Sequence, residues 1–155
     1  MKRNALALLI CFALIAFVAL AATKSKEDGG GVTKDHLQKI WDGWSTLDPA
    51  NVSQYYAKGP HTFFDIAPLK YSSWDEYQTT VKKVLADYSS AKCTVNDDAE
   101  LHPAGNYVWG AATVKCDMTH KDGKTEADNF RWTYVFEKQG GKWLTVHEHV
   151  SAPLS

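Results

Sequence analysis

The chain has no surplus of positive charge, no paired cysteine motifs and no phosphate loop. Lysine and arginine total 17 against 18 aspartate and glutamate, for a net charge of −1. That balance leaves no basic footprint for a nucleic acid, and none is expected as a partner. Of three cysteines, one sits in the N-terminal apolar run, so no second pair exists to build a zinc site. Gly29-Gly30-Gly31 has no strand before it and no Gly-Lys-Ser/Thr after it, which excludes a P-loop. No internal repeat is visible, and 155 residues leave room for one domain. What is abundant is aromatic: six Trp, seven Tyr and six Phe, in a chain that is 45% hydrophobic and 23% charged. Such a chain packs as a globule.

The N-terminus reads as an export signal. Lys2 and Arg3 form a positive start, Ala5 to Ala22 is apolar, and Ala19-Leu20-Ala21 gives the small-x-small pattern of a cleavage site. Residues 1–21 are thus expected to be removed, leaving 15 cations against 18 anions, a secreted or periplasmic protein and no stable membrane anchor. The competing reading is an uncleaved N-terminal anchor, since the run sits at the lower edge of a spanning length. Residues 22–33 are polar and glycine-bearing and read as a flexible tether. The domain proper is expected over 34–153.

Export leaves Cys93 and Cys116, on strand-like segments either side of His102-Pro103-Ala104-Gly105. In an antiparallel hairpin, opposed residues are equidistant from the turn, and these two are centred between Ala104 and Gly105. They should face each other, as a disulfide in an oxidising compartment or as two buried thiols.

Periodicity predicts a helix over Lys34 to Leu47, capped by Thr33, with Leu37, Ile40, Trp41, Trp44 and Leu47 on one face. Asp48-Pro49 starts a second short helix through Val52, Tyr55 and Tyr56. His61 to Ile66 is β-like. Ser73 and Glu76 form a capping box for a third helix, Trp74 to Tyr88. Four strands follow: Ala91 to Leu101, Asn106 to Thr119, Thr125 to Lys138 and Lys142 to Ser151. Helices first and long antiparallel strands after imply α+β, with a curved sheet wrapped around the helices into a cone whose open end is a pocket.

The stretch Arg131 to Pro153, with its Gly-Lys-Trp turn at 141–143 and Val-His-Glu-His-Val-Ser at 146–151, resembles the C-terminal signature of the SnoaL-like branch of the nuclear transport factor 2-like superfamily. Its nearest likeness is to the calcium/calmodulin-dependent protein kinase II association domains. The Trp-rich first helix and Phe63-Phe64-Asp65 agree. The resemblance implies a cone-shaped, cystatin-like α+β fold with a curved antiparallel or mixed sheet, and commonly a homodimer paired through the outer sheet face. It further implies that Arg131, His147 and His149 point into the cone with Asp65.

If they converge, Asp65 with His147 or His149 could exchange a proton near neutral pH, and Arg131 could hold a carboxylate or enolate. Trp41, Trp44, Tyr55, Tyr56 and Trp109 would wall the ligand. Simple alternation instead allows the polar set of each strand to face water. His147-Glu148-His149 could share a metal with Asp65, but one His-x-His without a second motif is not read as a metal site. No cofactor is expected. His36, His61, His102 and His120 are scattered and solvated by default. Three functions remain: a domain binding a small, partly apolar molecule; an isomerase, cyclase or hydrolase using an Asp–His pair; or a homo-oligomerisation scaffold.

Overall fold

A computed structural model describes residues 31–66 and 68–154. The expected signal peptide lies outside the described residues, as does the tether up to residue 30. The tether's last two residues belong to the fold. Val32 is buried in the core, and Thr33 caps the first helix, its Oγ1 accepting from His36 N at 3.3 Å.

Helix α1 spans Lys34–Ser45. It stops two residues short of the expected Leu47, which turns into left-handed backbone at φ 61°. That conformation costs a non-glycine residue roughly 1–2 kcal/mol, and it reverses the chain into Asp48-Pro49. The second helix resolves into two 3-10 turns, Pro49–Asn51 and Ser53–Tyr55, with Asp48 Oδ1 accepting from Ala50 N at 3.1 Å. Helix α2 spans Trp74–Leu85. Ser73 Oγ accepts from Glu76 N at 3.2 Å, and Glu76 Oε2 reaches back to Ser72 N at 2.8 Å.

The strands are β1 Phe63–Phe64, β2 Tyr88–Val95, β3 Glu100–Ala104, β4 Tyr107–His120, β5 Thr125–Gln139 and β6 Lys142–Ser151. They form one curved sheet in the order β1-β6-β5-β4-β2, with β3 also paired to β4. Only β1 against β6 is parallel; the other pairings are antiparallel. The fold is therefore α+β with a mixed sheet. α1 protects the β2 edge. Gln38 accepts from Val95 N and donates to Cys93 O, both at 2.9 Å, while Ser45 Oγ accepts from Cys93 N at 3.0 Å. These bonds satisfy edge groups that would otherwise invite another strand.

On β5, Trp132, Tyr134 and Phe136 face the helices and are buried. Burial of each contributes on the order of 2–3 kcal/mol. Arg131, on the opposite face, is therefore exposed and not inside the cone; its Nη2 donates to Ala152 O at 2.8 Å. The hydrophobic effect decides the facing: three aromatics outweigh one cation.

β6 breaks the expected alternation. Val135 pairs with His147, but Phe136 pairs with Thr145, so Val146 is an extra residue bulged out of the ladder. Beyond it the facing inverts. Thr145, Glu148 and Val150 point inward and are buried, whereas His149 is exposed and His147 is half-buried on the outer face. The two histidines thus do not enter the cone. His147 Nδ1 donates to Thr62 O at 2.7 Å, and both rings lie edge-on to Phe64.

Cys93 and Cys116 are directly opposed and joined as a disulfide. The turn, however, is Gly105-Asn106, one residue later than expected. Asn96 to Ala99 cover with four residues what β4 crosses with two, Ala112 and Thr113, which restores the opposition.

Candidate functional site

α1, α2 and the inner face of the sheet enclose a cavity of about 320 Å³. Trp41 and Trp44 contribute from α1, Tyr77 and Val81 from α2, and Phe130 and Val150 from the sheet. The Cys93–Cys116 disulfide forms part of its wall. The spacing that makes α1 amphipathic carries the two indoles to this wall, since residues three and four apart share a helix face. Trp41 packs edge-on to Trp132 and flat toward Phe130. Its Nε1 is buried with no hydrogen-bond partner. A buried donor left unmade costs about 1–3 kcal/mol.

Asp65, immediately after β1, lines the same cavity. Its Oδ1 accepts from Ile66 N at 2.7 Å and its Oδ2 faces the Tyr77 hydroxyl at 3.4 Å. Burial pushes its pKa up; the Ile66 N–H, the Tyr77 hydroxyl and the charge of His149 pull it part of the way back. A carboxyl so placed can bind a donor, hold a cation, or exchange a proton.

Behind Tyr77 lies Glu148, 1% exposed. Tyr56 Oη donates to its Oε1 and Trp132 Nε1 to its Oε2, both at 2.8 Å. Trp44 Nε1 donates in turn to Tyr56 Oη at 3.0 Å. Burial lifts the Glu148 pKa to about 7, against the pull of Tyr56, Trp132 and Tyr77 and with the help of the Asp65 charge. The Tyr77 hydroxyl therefore stands between two carboxyls, Asp65 at the cavity and Glu148 beneath it. It has one proton to donate, so the two acids share it.

Of the residues expected to converge, Trp41, Trp44 and Asp65 line the cavity, whereas Tyr55, Tyr56, Trp109, Arg131, His147 and His149 do not. Tyr56 is buried in the Glu148 network; Tyr55 packs against the His36 ring; neither lines the cavity. Trp109 stands on the outer sheet face, 51% exposed and stacked on His102 at 4.1 Å. Glu148 and Tyr77 escaped sequence reasoning. The available signal was an isolated acid among Leu144, Val146 and Val150 on the apolar alternation of β6. Among the described residues no cluster of histidine, cysteine or carboxylate groups fits a metal ion.

The SnoaL-like domain model matches residues 34–155. No curated protein matches the chain. Among solved structures, a nuclear transport factor 2-like superfamily protein from Salmonella enterica serovar Typhimurium is 18% identical, covering 79% of this chain and 92% of that one, at a TM-score of 0.67. The association domain of CaMKII from C. elegans is 17% identical, covering 75% and 89%, at 0.61. An uncharacterized protein with a cystatin-like fold from Caulobacter vibrioides is 14% identical, covering 82% and 91%, at 0.66. At these identities the likeness is one of fold.

Proposed function

The chain belongs to the SnoaL-like domain family, and from that premise we propose that it is an exported domain binding a small, mostly apolar, ring-bearing molecule in its cavity. The observation that carries this reading is the aromatic-walled space of about 320 Å³, whose wall carries two carboxyls, Asp65 and Asp128, and, among the described residues, no basic side chain. Few, placed polar groups in an apolar concavity are what orients a small ligand. Calorimetric titration with 1-naphthalenemethanol and with its aminomethyl analogue tests it. At least one should bind saturably, in the micromolar to millimolar range expected at roughly −0.3 to −0.5 kcal/mol per heavy atom. Val81→Trp, which fills the cavity, should abolish that binding. Absence of binding by both, or binding that Val81→Trp leaves unchanged, overturns the reading.

Turnover by an isomerase, cyclase or hydrolase is a second reading, favoured by the raised pKa of Asp65 at the cavity. Tyr77, rather than His147 or His149, is then the partner of the acid. Exchange of the α-protons of 2-tetralone with deuterated water, followed by NMR, tests it: acceleration by the protein and its loss in Asp65→Asn support turnover.

Export is supported by Lys2, Arg3 and the Ala19-Leu20-Ala21 site, and Edman sequencing of protein from the culture or periplasm should begin at Ala22. Among the described residues no helix is long and apolar enough to cross a membrane. Pairing as a homodimer, or wider use as an oligomerisation scaffold, is supported by exposed Trp109 on the outer sheet face. Sedimentation should then show a dimer that Trp109→Glu dissociates.

A further inference from the structure

We propose that the cavity selects a protonated amine carried on an apolar ring body, the ammonium seated against Asp65. This rests on the cavity reading above and adds the charge class of the ligand.

The charged groups on the wall are of one sign. Asp65 and Asp128 line the cavity, and among the described residues no lysine, arginine or histidine does. The hydroxyl protons of two lining tyrosines are turned away toward carboxylates: Tyr77 toward Asp65 and Glu148, Tyr88 toward Glu126 at 2.7 Å. The aromatic faces of Trp41, Trp44 and Phe130 complete a surface that attracts a cation through the ring quadrupole. An anion brought here would meet Asp65 across a low-dielectric space, where like charges repel most strongly.

Asp65 also lacks a counter-ion inside the cone. His149, whose charge pulls on it, is exposed on the outer face of β6. Its bonds are to one backbone N–H and one long tyrosine contact. Asp65 is half-buried; a carboxylate drawn partly out of water gains from a paired and hydrogen-bonded cation, and an ammonium in the cavity supplies both with one group. Trp41, on the same wall, also carries a buried Nε1 with no hydrogen-bond partner.

Three probes share one body and differ in charge: 1-naphthylmethylammonium, 1-naphthalenemethanol and 1-naphthoate, titrated calorimetrically into the intact protein at pH 7.5. The ammonium is expected to bind at least tenfold more tightly than the alcohol, and the naphthoate not measurably. Asp65→Asn should cut the preference for the ammonium to under threefold while the alcohol still binds. An alcohol or naphthoate that binds as tightly as the ammonium overturns the inference and leaves the cavity reading standing. Failure of all three to bind overturns the cavity reading itself. A full ammonium preference in Asp65→Asn, lost instead in Asp128→Asn, overturns the assignment to Asp65.

Discussion

Thr145 and Glu148 stand on the same, inner face of β6 although three residues apart. A regular strand would place them on opposite faces. The extra residue Val146 absorbs the difference. It determines which titratable groups the cone contains: one glutamate in place of two histidines.

Removing Val146 should therefore straighten β6 without changing what faces inward. Thr145 would still oppose Phe136, and His147 would still oppose Val135. The deletion variant should fold with a loss under about 2 kcal/mol, and should keep the Glu148 bonds to Tyr56 and Trp132. Inserting one alanine between His147 and Glu148 should instead turn the carboxyl outward and cost more than about 4 kcal/mol. Urea unfolding of both variants checks this; equal losses would refute the bulge as the device.

The helices and the order of the long strands were legible because each follows from local chemistry: caps at Thr33, Asp48 and Ser73, and apolar spacing on α1 and α2. The aromatic side of β5 was legible for the same reason. The site was not, because it depends on one backbone irregularity. No local feature of Trp143 to Ser151 says which residue bulges; that is set by β5, β1 and the Ala57 N–H, which donates to Thr145 O at 3.0 Å. Family resemblance pointed at the His-x-His residues, while the apolar alternation around Glu148 already set that acid apart. Trp109 was misplaced for a different cause. It sits between Val108 and Gly110, both buried, so its own neighbours assign it outward.

Glu148 should make stability fall as pH rises. In the unfolded chain it ionises at the ordinary carboxyl value of 4.5, in the fold only at about 7. Below both values the acid is neutral in either state and imposes no cost. Between them the unfolded chain sheds a proton that the fold keeps, and above about 7 the fold bears the full difference, on the order of 3 kcal/mol. Other carboxyls, Asp98 and Glu126 among them, are shifted down and act in the opposite direction. The comparison with Glu148→Gln isolates the effect. The variant loses hydrogen bonds and should be less stable at pH 5, but the gap should shrink by roughly 2–3 kcal/mol by pH 8. Urea midpoints at unit pH steps report it; a constant gap would show that Glu148 is ionised throughout.

Tyr134 lies across Gly110, its opposite number on β4, and donates to Glu100 O at 2.7 Å. A Cβ on Gly110 would stand 1.9 Å from that same oxygen and 2.9 Å from the tyrosine hydroxyl. Gly110→Ala should therefore pry β3 from β4 and lower stability by about 3 kcal/mol or more. Tyr134→Phe removes only the hydrogen bond and should cost about 1 kcal/mol. Hydrogen exchange at the β3 amides should accelerate strongly in the first variant and little in the second.

The disulfide ties stability to the cavity. Cys93 and Cys116 close a loop with a sequence separation of 23, and constraining such a loop in the unfolded chain contributes about 3 kcal/mol. Both sulfurs also belong to the cavity wall, between β2, which α1 holds through Gln38 and Ser45, and β4. A Cys93→Ala, Cys116→Ala double variant should thus lose about 2–4 kcal/mol in urea and should bind naphthalene probes more weakly, because two wall atoms have gone. Reduction of the native protein keeps those atoms and opens only the cross-link. It should reproduce the stability loss while leaving more of the binding, provided the titration is run well below the reduced protein's unfolding midpoint. Equal loss of binding in the two cases would mean that the cross-link, and not the sulfur surface, shapes the wall.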